Sequence, residues 1–198
     1  ARLLTLLVSI FLTITAAPAL AQDKCERIFK ITSAELETSS LMELGFQADI
    51  AQRITADRPE LAEQLSRLPK QKAQAITLYR GFDRPANEIT LNLQYWRSQS
   101  IWFSLSRTTA ESFAGGHRDK SGTVLEVQVP KSFFSSGFDP SLDPVELVKR
   151  GFTDGTINRY DIPSLHPFIT RVGVVTPGTP PRVKWVTYEE AIRTGLID

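Results

Sequence analysis

From residue 33 to about residue 75 the apolar positions recur at helical spacing: Leu36, Leu41, Leu44 and Phe46, then Ile50, Ile54, Leu61, Leu65 and Leu68. Ser33 suits an N-cap, with Glu35 and Glu37 in the first turn where a helix dipole favours negative charge. Gly45 ends a first helix, Asp57-Arg58-Pro59-Glu60 starts another, and Pro69 closes the region. The spacing predicts two or three short amphipathic helices. At Ala75 the period changes to two: Ile76, Leu78 and Arg80 share one face of a strand, Thr77 and Tyr79 the other.

A second strand is predicted over residues 101–106, with Ile101, Phe103 and Leu105 on one face and Trp102, Ser104 and Ser106 on the other. A short helix follows over 108–114, capped by Arg107 or Thr108, and then a polar loop to Gly122. A third strand covers 123–129 and stops at Pro130; residues 131–144 form a loop carrying Phe133, Phe134 and Phe138. Strands are expected at 145–152 and 168–175, a linker at 177–181, and a terminal helix over 188–194 between Thr187 and Gly195. Helices ahead of a run of strands predict an α+β domain.

The first residues read differently. Arg2, an apolar run over 3–14 and Ala19-Leu20-Ala21 have the form of a secretory signal peptide. Cleavage after Ala21 would leave a secreted or periplasmic chain with no membrane association. Removing 21 of 198 residues leaves 177, enough for one core. The expected division is 1–21 signal peptide, 22–74 a helical segment packing on the core, and 75–198 the catalytic domain with its C-terminal helix. Without Arg2 the chain carries 22 basic and 22 acidic side chains, which argues against nucleic acid as a partner. Cys25 is the sole cysteine, and with His117 and His166 isolated no zinc framework exists.

An arginine ending one buried strand and hydroxyls on the next suit an anionic ligand, because the guanidinium fork matches phosphate oxygens. Tyr79-Arg80-Gly81, then Phe103-Ser104-Leu105-Ser106, then the small-and-aromatic helix with Ala110, Phe113 and Ala114, then the strand ending at Pro130, resemble mono-ADP-ribosyltransferases. The class is the arginine–serine–glutamate one that includes cholera toxin and the clostridial actin- and Rho-modifying toxins. Leu105 replaces the middle threonine of its motif. The resemblance covers about residues 75–150. It implies a split β-sandwich with N-terminal helices, NAD as substrate, and no metal. Arg80 would bind the diphosphate, with Gly81, Ser104 and Ser106 around the dinucleotide, and Ser104 would orient a catalytic glutamate.

Glu146 is the positional match for that glutamate, following a loop over 135–145 that in the family helps choose a protein target. Pro144 stands where the family has Glu or Gln, so arginine is not implied as acceptor. Glu126, on a strand face with Val124 and Gln128, is the alternative, and a site with neither remains open. His117 and Arg118 read as solvated loop residues, and Trp96, Trp102 and Phe113 as core. Two functions follow: cleavage of the nicotinamide–ribose bond with transfer of ADP-ribose to a protein or to water, or a catalytically inactive module of this fold that binds a protein partner.

Overall fold

A computed structural model of the protein describes residues 34–115, 121–136, 144–178 and 181–198. The expected signal peptide, Cys25, His117, Arg118 and Phe138 lie outside the described residues.

Helix α1 covers residues 34–43 and ends at Gly45, whose φ of 91° is the left-handed conformation that glycine adopts without strain. Helix α2 (Ala48–Asp57) has no side-chain cap of its own. The buried Gln128 supplies one from the sheet, its Oε1 accepting from the Gln47 amide at 2.8 Å. Helix α3 (Pro59–Arg67) begins with proline at N1, and α4 (Lys70–Ala73) is a single turn leading into the sheet. Leu41, Ile50, Ile54, Leu61 and Leu65 line their buried stripe, at 2% exposure or less. Each such side chain contributes about 1.5–3 kcal/mol by leaving water.

The seven strands are β1 (Ala75–Phe82), β2 (Ser100–Ser104), β3 (Gly122–Pro130), β4 (Phe134–Ser136), β5 (Asp154–Asn158), β6 (Ile169–Thr176) and β7 (Arg182–Thr187). They form one antiparallel sheet in the order β4-β5-β2-β1-β3-β6-β7. The protein is therefore α+β. One sheet face, with Leu78, Val127, Val129 and Val172, joins the helices in the main core. The other carries helix α5 (Arg107–Ala114) over a smaller cluster of Ala110, Ala114, Val124 and Val175.

The sheet is uneven at its middle. Strand β1 pairs with β3 along its whole length, but its register with β2 is the single pair Tyr79 opposite Ser104. Beyond that pair β1 and β2 part.

Several expectations are corrected. Residues 145–152 are not a strand: Pro144–Lys149 form helix α6, with Leu147 buried and Glu146 reaching Lys149 and Arg150 one turn on. A short apolar run cannot separate strand from buried helix by periodicity alone, and here Pro144 at the start decides for helix. Helix α5 is capped by Ser106, whose Oγ accepts from the Thr109 amide at 3.3 Å, rather than by Arg107 or Thr108. Strands β4, β5 and β7 are additions. Thr187 does cap the terminal helix α7 (Tyr188–Arg193), accepting from the Glu190 amide at 3.2 Å.

Helix α5 can approach the sheet because two glycines face it. A Cβ on Gly81 would stand 2.1 Å from the Ala110 carbonyl oxygen, and one on Gly122 would stand 2.0 Å from that of Ala114. Both obstacles are backbone, which cannot swing aside. Gly81→Ala is thus expected to lift α5 and cost about 1–3 kcal/mol; an unchanged urea midpoint would contradict this packing.

Candidate active site

The site lies where β1 and β2 part. With no ladder bond available beyond Tyr79, the side chain of Arg80 crosses the opening, and its Nη1 donates to the Trp102 carbonyl oxygen. The guanidinium stacks on Trp96, Phe82 and Phe103 at 4.7, 4.9 and 5.8 Å from the ring centroids. Its Nε is buried with no hydrogen-bond partner among the described residues. Burial without a counter-charge lowers the Arg80 pKa to about 10, so the group stays charged at neutral pH but is poorly solvated. A half-buried cation with an unpartnered Nε makes this a candidate anion site.

A cleft of about 320 Å³ opens beside it, lined among others by Arg80, Gly81, Trp102, Ser104, Phe113 and Asp154. Arg80, Gly81 and Ser104 thus all border this cleft. Trp102 and Phe113, expected in the core, are 59% and 66% exposed at this cleft. Trp96 is half-buried and lies under Arg80.

Neither Glu146 nor Glu126 lines the cleft. Glu146 sits on α6, its Oε1 3.4 Å from Arg150 Nε and its Oε2 3.6 Å from Lys149 Nζ, and it does not line the cleft. Glu126 is buried and occupied: Thr170 Oγ1 donates to its Oε1 at 2.6 Å, Arg171 Nε to the same oxygen at 3.0 Å, and Arg171 Nη2 to Oε2. It also accepts from the Tyr79 hydroxyl, fixing a residue of the cleft wall. Ser106 caps α5 and is absent from the cleft wall.

Asp154 is the carboxylate that lines the cleft among the described residues. It opens β5 directly opposite Ser104, so the two side chains share a sheet face. The start of β5 is pinned to the end of β2 through the Thr153 carbonyl, which accepts from the Leu105 amide at 2.7 Å and from Ser104 Oγ at 3.4 Å. Ser104 Oγ in turn accepts from the Ser106 amide at 3.1 Å. Ser104, at 5% exposure, thus sets the strand that carries the acid. The available signal in the sequence was Gly151-Phe152-Thr153-Asp154-Gly155, a turn entering a short strand with an acid at its first position.

Asp154, Ser104, Tyr79, Glu126, Arg171 and Thr187 stand opposite one another in turn, a polar row crossing the same face from β5 to β7. Among the described residues no group of three or more His, Cys, Asp or Glu could hold a metal ion. No helix among them is long and apolar enough to cross a membrane.

Burial raises the Glu126 pKa, but the hydrogen bonds from Arg171, Thr170 and Tyr79 outweigh it and hold the carboxyl below its ordinary value. The network's contribution is therefore complete above the unfolded glutamate value, about 4.3, and is lost as pH falls through the lower folded value. Glu126→Gln is expected to cost about 1.5–3 kcal/mol at pH 7 and to flatten the acid limb of stability against pH. An acid limb as steep as that of the parent chain, measured by urea titration from pH 7 to 3, would contradict this network. No protein-family model matches this chain, and the search of curated proteins returned no significant match.

Proposed function

We propose that the protein is a secreted ADP-ribosyltransferase-like enzyme that cleaves the nicotinamide–ribose bond of NAD. The observation that carries this reading is that Arg80, Ser104 and Asp154 all line one cleft where β1 and β2 part. The split-sandwich arrangement implied by the resemblance would place its division where β1 and β2 share a single residue pair. Arg80 would hold the diphosphate through the donors it presents in the opening. The nicotinamide riboside would lie toward Trp102 and Phe113, whose exposed rings offer stacking surfaces.

Breaking the bond between the ribose C1′ and the nicotinamide nitrogen sends its electron pair to nicotinamide and leaves positive charge on the ribose. Asp154 would stabilise that charge, held on β5 by Ser104 through Thr153. A lone pair on water or on a protein acceptor then bonds to C1′, and the attacking group releases its proton to solvent or to Asp154. Aspartate, one methylene shorter than glutamate, must sit closer to the ribose, and its position on a strand directly beside Ser104 suits that.

A second reading is a non-catalytic module that binds a protein partner through the same cleft, favoured by the exposure of Trp102 and Phe113 at its mouth. Nicotinamide release from NAD separates the two. Asp154→Asn is expected to lower turnover by about 10²–10³-fold, the scale of losing one electrostatic group in an active site. Arg80→Lys should weaken NAD binding because one ammonium cannot replace the fork. Glu146→Gln should leave both unchanged. Turnover insensitive to Asp154→Asn would sink that assignment, and NAD binding without turnover would favour the binding module.

A further inference from the structure

A second cleft, of about 600 Å³, lies on the other side of Arg80 and shares that residue with the first. Its wall includes Arg84, Glu88, Tyr95, Trp96 and Arg97. The wall is built rather than loose. Trp96 Nε1 donates to the Thr90 carbonyl at 2.9 Å, and the ring meets Phe82 edge-on with centroids 5.9 Å apart. The Trp96 carbonyl accepts from Arg159 Nη1, and the Leu93 amide donates to the Pro163 carbonyl at 2.7 Å. The last two bonds tie the turn at Leu93–Tyr95 to the loop that follows β5.

The charges in this cleft are out of proportion to a neutral sugar. Three guanidinium groups, Arg80, Arg84 and Arg97, face one carboxylate, Glu88. Arg84 has a loose contact with its neighbour Asp83, Nε to Oδ1 3.6 Å, and Arg97 has no ion pair among the described residues. Tyr95, 71% exposed, offers a ring face beside them. If Arg80 holds the diphosphate from the opening between the clefts, Arg84 and Arg97 remain for a further anion on the adenosine side. Glu88 suits a ribose hydroxyl, while guanidinium side chains at that place suit a ribose phosphate.

We infer that the second cleft holds the adenosine half of the substrate and, through Arg84 and Arg97, selects a nicotinamide dinucleotide that bears an additional phosphate on its adenosine ribose. This rests on the proposed NAD-cleaving reading and narrows its substrate to the phosphorylated class. Both volumes fall within the range of ligand sites, about 300–1,000 Å³, and Arg80 at their junction is where the diphosphate bridge of one extended molecule would pass.

Calorimetric titration of the full chain with NAD and with NADP tests the inference. NADP is expected to bind about tenfold tighter, a modest ratio because the two arginines are solvent-exposed. Arg84→Gln and Arg97→Gln should each reduce that ratio toward one while leaving the unfolding midpoint unchanged. Equal affinity for the two dinucleotides, or a preference for NAD, would overturn the inference and leave the proposed reaction standing. A preference for NADP that survives both substitutions would also overturn it. Binding of neither dinucleotide would remove both readings together.

Discussion

Strands β1 and β2 share one residue pair before they part, and the side chain of Arg80 fills the opening. Everything at the site depends on that substitution of a side chain for a ladder of backbone bonds. A guanidinium moved out of water without a carboxylate is costly, and the structure offsets the cost with one backbone carbonyl and three aromatic faces. The compensation is incomplete: Nε has no partner among the described residues, and burial lowers the pKa to about 10. A fold optimised only for stability would close the sheet at this place. Keeping it open around a cation gives two clefts that meet at one charge.

The rest of the sheet holds that opening in place. The row from Asp154 through Ser104, Tyr79, Glu126 and Arg171 runs across five strands on one face, and each member is fixed by its neighbour or by the backbone beside it. At one end the Glu126–Arg171 pair, supported by Thr170, anchors Tyr79 at the cleft wall. At the other, Ser104 and the Leu105 amide hold Thr153 and so the start of β5. Helix α5 covers the row's middle only because Gly81 and Gly122 leave room for its backbone. Stability and site geometry are therefore set by the same side chains.

Where the chain repeats a clear period, its elements can be read without coordinates. The helical spacing of Leu41 through Leu65, the alternation through β1 and β3, and the Thr187 cap each have a local physical cause. Arg80 and Ser104 were legible as strand residues for the same reason, since both lie in strands that alternate. The carboxylate that lines the cleft was not. Asp154 begins a five-residue strand, Asp-Gly-Thr-Ile-Asn, whose composition is that of a turn and whose strand state comes from pairing with β2 and β4. Glu146 drew attention by spacing, yet Pro144 and its i,i+3 and i,i+4 partners make that stretch a helix. Trp102 and Phe113 looked like core because aromatic rings usually are, yet both are exposed at the cleft, which no local pattern announces.

The central claim is that the buried guanidinium of Arg80 is the anchor for a dinucleotide. The most direct measurement is NMR of the chain labelled with ¹⁵N-arginine, following the side-chain Nε resonances during titration with NAD or NADP. The account predicts that the Arg80 Nε–H signal, protected by burial before ligand is added, moves strongly as the guanidinium meets a phosphate oxygen. Saturating dinucleotide that shifts other arginines and leaves Arg80 unmoved would contradict it.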